Sequence, residues 1–141
     1  WLLMAGGNAY DAADDLISLI NDNWGLSHPI KVRKMWDQKS IGFGEDRFDS
    51  IMIFPKNEKI DYFGLYGSDF LHTVEIKVHV RSYQGHEHHN DLVNEFQRII
   101  KENIRRTGYV DLLIKISISE SEPLRNMFRH TFSVQYRKLN P

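Results

Sequence analysis

Strict alternation of apolar and polar side chains between residues 70 and 83 constrains the fold of this chain more than any other feature. Within the segment HTVEIKVHVR (72–81), the even-numbered positions are mainly apolar and the odd-numbered positions are polar or charged. Successive side chains of a β-strand point to opposite faces of its sheet, so the pattern predicts a strand with one buried and one polar face, as is typical of antiparallel sheets. At about 3.4 Å per residue, this strand would span more than ~40 Å, which is long for a small domain.

The rest of the chain divides into two predicted helices and four further strands. Apolar residues at three- and four-residue steps predict helices over 9–24 and 90–106, and Asn90 is a suitable N-cap for the second. Predicted strands cover 30–37, 49–54, 109–119 and 127–137, and predicted loops cover 38–48 and 56–70. Pro55 is expected to end the strand over 49–54, because proline donates no backbone hydrogen bond.

The order α-β-β-β-α-β-β favours an α+β fold in which a single, mostly antiparallel sheet of about five strands carries two helices on one face. In the strand over 109–119, the residues expected to point toward the helices are Val110, Leu112, Ile114, Ile116 and Ile118. The opposite face is expected to be polar and to meet solvent or a partner. It carries Glu75, Lys77, His79, Arg81, Lys115 and Arg137.

Length and composition indicate one domain and exclude several classes of function. The 141 residues fit a single domain, residues 1–141, and the start WLLMAGG is interpreted as a flexible or vector-derived segment over residues 1–8. The chain has no cysteine, which excludes disulfides and thiolate zinc sites. With 18 basic and 19 acidic residues it has no overall positive field for nucleic acid, and no apolar stretch is long enough for a membrane span.

One candidate for chemistry combines Asp49 with Glu75 and Lys77. Asp49 opens an apolar strand, and Glu75 and Lys77 share one face of the next long strand. Two carboxylates meeting across adjacent strands could hold Mg²⁺ for phosphodiester hydrolysis. The arrangement resembles the PD-(D/E)xK nuclease superfamily, which would make the chain a metal-dependent nuclease. The alternative, which we favour, is an amphipathic strand with alternating charges on a polar face.

Two other clusters have ordinary structural explanations. The run His86-Glu87-His88-His89 with Asp91 has metal-binding side chains, but consecutive residues cannot all point at one ion, and a hydrophilic helix start is favoured. The basic residues near the end of the second helix suit a solvated helix face beside a helix dipole. They are Arg98, Lys101, Arg105 and Arg106. We therefore predict no metal, no cofactor, no catalytic residue and no specific nucleic-acid binding.

The aromatic segment YFGLYGSDF (62–70) is the strongest candidate for a binding loop. Exposed aromatic side chains between glycines are typical of binding loops, although such a loop can also fold back onto its own core.

The chain resembles the tail terminator, or tail-completion, proteins of long-tailed bacteriophages and related viruses. The resemblance runs from about residue 9 to about residue 138 and is one of pattern and order. A helix DAADDLISLI precedes the strands IKVRKMWD and DSIMIF, and a long loop leads into DFLHTVEIKVHVRSY. The helix HHNDLVNEFQRIIKENIRR and a strand pair ending in RHTFSVQYRK follow. The family has no catalytic motif to carry over.

The resemblance implies a structural role without enzymatic activity. Such proteins form a six-fold ring that caps the tail tube and presents a surface to the head connector. The chain would then be a homo-oligomeric virion protein of the tail–neck region, made in the host cytoplasm, with the tail tube and connector proteins as partners and no membrane. The residues expected at its interfaces are Phe63, Tyr66, Phe70, Glu75, Lys77, His79 and Arg81.

Overall fold

The computed structural model describes residues 9–27, 30–34, 49–105, 111–122 and 127–139. Its helices are α1 (Ala9–Asn23) and α2 (His86–Glu102). Its strands are β1 (Lys31–Lys34), β2 (Ser50–Phe63), β3 (Asp69–Ser82), β4 (Asp111–Glu122) and β5 (Met127–Leu139). A short 3-10 turn, Leu65–Gly67, joins β2 to β3. None of the helices in these ranges is long and apolar enough to cross a membrane.

The five strands form one sheet in the order β1-β2-β3-β5-β4. β1 pairs with β2 in parallel, and all other neighbours are antiparallel. The predicted fold class is confirmed: two helices and a single, mostly antiparallel sheet in the order α-β-β-β-α-β-β.

Both helices pack on one face of the sheet, where they complete the hydrophobic core. The even-numbered residues of β3 point into this core as the alternation predicts, and Val74, Ile76, Val78 and Val80 are fully buried or nearly so. Phe132 of β5 stacks on Phe96 of α2 with 4.8 Å between ring centroids. Burial of apolar surface between the helix stripes and this sheet face provides most of the stability.

The prediction that Pro55 ends β2 is wrong, and the predicted loop over 56–70 is a β-hairpin. β2 continues to Phe63, paired with β3, and the register shifts between Pro55 and Asn57, which leaves Lys56 as a β-bulge. A proline can sit in a strand wherever its nitrogen faces away from the paired neighbour. The strand therefore passes through Pro55 without losing a hydrogen bond to β3.

A second bulge changes which face of β4 is apolar. Ile114 pairs with Val134, and the next paired residue, Ile116, lies opposite Ser133, so Lys115 is the inserted residue. One inserted residue reverses the side-chain alternation beyond it. Ile116 and Ile118 were predicted to face the helices, but they lie on the opposite face and are 49% and 52% exposed.

α2 begins at His86, four residues before the predicted start at residue 90. Gly85 precedes it with a φ of 101°, a left-handed conformation that glycine adopts without strain. The earlier start buries His89 against the sheet, beside the ring of Phe128 at 5.9 Å. Several predictions fall outside the described residues: the terminal segment 1–8, the loop 38–48, and the positions of Val110 and Arg106.

Candidate assembly surface

The distal half of the β2–β3 hairpin extends beyond the part of the sheet that the helices cover. We call residues 56–71 the hairpin arm. β1 pairs only with Ser50–Ile53 of β2, and from Lys56 to Phe63 every residue of β2 is exposed. A long hairpin with exposed apolar side chains is a typical protein-binding element.

The tip of the arm holds its side chains outward through an unusual turn. Tyr66 has φ 60° and ψ 25°, a left-handed conformation that costs a residue with a side chain ~1 kcal/mol or more. Gly64 and Gly67, at φ 82° and 67°, allow the chain to reverse on either side of it. The side chain of Tyr66 is 97% exposed and that of Leu65 is 76% exposed. Strain combined with exposure of large apolar side chains points to a binding role for the tip.

The structure brings the three predicted aromatic residues into the arm, although only Tyr66 lies at its very tip. Phe63 is the last residue of β2, and Phe70 packs half-buried against Tyr62 with 5.6 Å between ring centroids. Leu65, Tyr62 and Ile60 were not among the residues expected at interfaces, although each is more exposed than Phe63. Membership in the same aromatic segment was the available signal for Leu65 and Tyr62.

The four predicted charged positions lie on the sheet face opposite the helices, which we call the outer face. Lys77 lies between Phe54 of β2 and Ser133 of β5, and Glu75 forms an ion pair with Lys56 at 3.5 Å. Arg81 lies in register with Arg129, which is bound to Glu120 at 2.6 Å. The outer face is therefore crossed by charged pairs, as expected of a polar face.

His79 differs from the expectation because it is buried on this face. Its side chain contacts the ring of Phe54 edge-on at 5.1 Å and lies within 2.9 Å of the Thr131 hydroxyl, and the residue is only 4% exposed. Burial, reinforced by the positive charges of Arg129 and Lys77, lowers the pKa of His79 to about 4. His79 is therefore neutral at pH 7 and packs as part of the sheet.

The geometry does not support the nuclease alternative. Asp49 precedes Ser50, which pairs with Arg81, whereas Glu75 pairs with Asn57 near the base of the hairpin arm. The two carboxylates are thus about seven residues apart along the sheet, or ~24 Å at 3.4 Å per residue. Carboxylates that share a metal ion must both come within ~2.6 Å of it.

Asp49 instead anchors the beginning of α2. Its carboxylate accepts hydrogen bonds from His88 Nε2 at 2.5 Å and from Gln84 Nε2 at 3.1 Å, and it is almost completely buried. Within the described residues, no group of three or more possible ligands is placed to hold a metal ion, and the run His86–His89 is the first turn of α2.

Replacing Asp49 with Ala should lower the free energy of unfolding by about 1–3 kcal/mol, because His88 and Gln84 lose a buried acceptor. Glu75→Ala, which removes a partly exposed ion pair, should change it by no more than ~0.5 kcal/mol. Urea unfolding followed by circular dichroism measures both. Equal losses for the two variants would contradict the separate roles assigned here.

Comparison with known proteins adds one similarity of fold. No family model matches the sequence, and no curated protein matches it. A chain in the solved structure "Virion of native gene transfer agent (GTA) particle" matches with a TM-score of 0.50 and 10% sequence identity, over 92% of this chain and 90% of that chain. At this identity the match shows a shared fold.

Proposed function

We propose that this chain is a structural protein of a virion, in the class of ring-forming tail or neck components, and that it acts as a tail terminator. The observation that carries the proposal is the match to a chain of a virion particle, which covers nearly the full length of both chains. The order of elements in the sequence, which resembles that of tail terminators, supports the same class independently.

The exposed surfaces suit an assembly protein. The hairpin arm offers a strained apolar tip, and the outer face offers paired charges with two exposed isoleucines, Ile116 and Ile118. The nearly equal numbers of basic and acidic residues favour complementary patches over a field of one sign. In this proposal the arm tip contacts the tail tube protein, and the sheet contacts neighbouring copies.

The proposal can be tested by deleting the gene for this chain from the genetic element that encodes it and imaging the particles that form. Deleting its coding sequence should abolish joined particles and leave tail tubes of unregulated length beside unattached heads, as seen by negative-stain electron microscopy. Immunogold labelling of an epitope-tagged chain should mark the junction of head and tail. Normal particles from the deletion, or a chain absent from gradient-purified particles, would overturn the virion role.

The double substitution Leu65→Ser with Tyr66→Ser should prevent incorporation into particles without unfolding the protein. Both side chains are exposed, and serine keeps the left-handed strain at position 66 because it also has a Cβ atom, so the free energy of unfolding should change by no more than ~0.5 kcal/mol. Complementation of the deletion, scored as the amount of chain in purified particles, measures the effect.

The matched control is Asn94→Ser with Lys101→Ser, which changes two exposed residues of α2, away from the hairpin arm and the sheet edges. It should complement like the parent chain. Full incorporation of the Leu65/Tyr66 variant would show that the tip does not contact the tube.

A further inference from the structure

The sheet has two stretches of strand edge along which no described strand is hydrogen-bonded. β4 is the last strand on one side, and on the other side β1 covers β2 only as far as Ile53. Open strand edges display backbone donors and acceptors and are templates for pairing with another chain. Both edges are also exposed, from Lys56 to Phe63 on β2 and from Lys115 to Ser121 on β4.

A hydrogen bond at the start of β2 fixes which residues face its open edge. The N–H of Lys31 in β1 donates to the carbonyl of Asp49, so Asp49, Ile51 and Ile53 direct their backbone groups away from β3. Alternate residues of an antiparallel strand bond to opposite sides. The bulge at Lys56 shifts this alternation by one residue, so Ile60 and Tyr62 direct their N–H and C=O groups to the open edge.

A hydrogen bond at the start of β4 likewise fixes which of its residues face the open edge. The N–H of Leu112 donates to the carbonyl of Ile104, which precedes β4, so Leu112 faces away from β5. The bulge at Lys115 again shifts the alternation, and the residues that face the open edge beyond it are Ser117, Ser119 and Ser121. The Lys31 hydrogen bond fixes the alternation in β2, and the registers through β3 and β5 extend that alternation to β4. It agrees there with the alternation that the Leu112 hydrogen bond fixes.

Strand directions allow these edges to pair between copies. β2, β3, β5 and β4 alternate in direction, so β4 runs opposite to β2. When a neighbouring copy stands in the same orientation beside the first, its β4 meets the first copy's β2 antiparallel. The combined sheet then continues from one copy to the next, and its strands still alternate in direction.

We propose that copies of this chain join through their sheet edges, with β2 residues 58–62 of one copy paired antiparallel to β4 residues 117–121 of the next and Ile60 opposite Ser119. This deepens the proposed function, because it names the contact that would hold the ring together. The pairing places Lys59 beside Glu120 and Phe63 beside Ile116 on the outer face, an opposite-charge pair and an apolar pair.

The occupant is a second copy because the chain itself supplies both halves of the contact. Each copy uses a different edge on each side, so the interface is heterologous and builds a closed ring or a filament, never an isolated dimer. Pairing would also cover three of the large apolar side chains that the described structure leaves exposed, Phe63, Ile116 and Tyr62.

Cysteine cross-linking tests the pairing in a chain that has no cysteine of its own. In the proposed register Asp61 lies opposite Ile118 on the outer face, within disulfide distance. Within one copy β2 and β4 are separated by three strand spacings, about 14 Å, which no disulfide can bridge. The double variant Asp61→Cys, Ile118→Cys should therefore form an intermolecular ladder under mild oxidation.

The matched control, Asp61→Cys with Ser119→Cys, places its two sulfurs on opposite faces and should give no ladder. Non-reducing gel electrophoresis should show trimers and larger species for the first variant only. No species above dimer, or equal ladders from both variants, overturns the pairing. If the double variant forms the ladder but the chain is absent from purified particles, the pairing stands and the virion role is overturned. If the chain is present in purified particles but no ladder forms, the virion role stands and the pairing is overturned.

Discussion

Replacing Phe132 with Ala should lower the free energy of unfolding by about 3–5 kcal/mol, among the largest losses expected from a single substitution in this chain. Phe132 is fully buried at the centre of the sheet, between the ring of Phe96 on α2 at 4.8 Å and the ring of His130 at 4.5 Å. The substitution leaves a cavity that rigid strands on either side cannot close. Urea unfolding followed by tryptophan fluorescence and circular dichroism gives the difference.

The matched control is Phe63→Ala in the hairpin arm. Phe63 is 46% exposed, so truncating it should change the free energy of unfolding by no more than ~0.5 kcal/mol. Similar losses for the two phenylalanines would mean that the arm is packed and not exposed.

Acidification from pH 7 to pH 5 should destabilise the protein well before its carboxylates titrate. Burial lowers the pKa of His79 and of His89 to about 4 in the folded chain, with the charges of Arg129 and Lys77 adding to the effect at His79 and those of His130 and His86 at His89. In the unfolded chain both have a pKa near the model-peptide value of about 6.5. Unfolding therefore takes up protons between these values, and stability falls with pH across this window by up to about 1.4 kcal/mol per pH unit for each histidine.

The carboxylates act in a lower window. Hydrogen bonds from Arg98 lower the pKa of Glu95, so its contribution is present above about pH 4.5 and is lost only below it. Urea titrations between pH 7 and pH 5 thus report on the histidines.

His89→Leu separates the contribution of one histidine. Neither ring nitrogen of His89 has a hydrogen-bond partner among the described residues, so an apolar side chain loses no bond there. The variant should show a smaller loss than the parent between pH 7 and pH 5, and the remaining loss comes from His79 and His130, whose pKa values burial also lowers. The control His86→Leu, at an exposed position, should keep most of the parent's slope, because burial and not the charge of His86 is the main cause of the lowered pKa of His89. An unchanged slope in His89→Leu would contradict a neutral, buried His89.

Most of the fold could be predicted because the local periodicity of apolar residues indicates each helix and strand. The alternation of HTVEIKVHVR identifies β3 and both of its faces, and the helical stripe that includes Phe96 identifies α2. The number, order and type of the elements follow from such patterns. Strand order does not, because it depends on contacts between segments far apart in sequence.

The two bulges account for the main errors. Lys56 and Lys115 are each one residue inserted opposite a continuous partner, and nothing in the local sequence distinguishes them from paired residues. Their positions depend on how β2 fits β3 and how β4 fits β5. Uninterrupted alternation over LLIKISIS (112–119) therefore placed Ile116 and Ile118 on the wrong face.

The candidate surface could be predicted only in outline. Aromatic residues between glycines indicated the segment that contains Phe63, Tyr66 and Phe70, and Tyr66 and Phe63 are exposed there. The burial of His79, by contrast, depends on Phe54 and Thr131, which belong to two other strands. A polar residue on a polar face gives no sign in the sequence that neighbouring strands enclose it.

Pro55 has a consequence for how the sheet can grow. It directs its nitrogen away from β3, toward the side on which β1 ends, and there it presents a ring where a further strand would need a donor. Pro55 therefore separates the edge segment that β1 occupies, Ser50–Ile53, from the segment 56–63, along which no described strand is paired on that side.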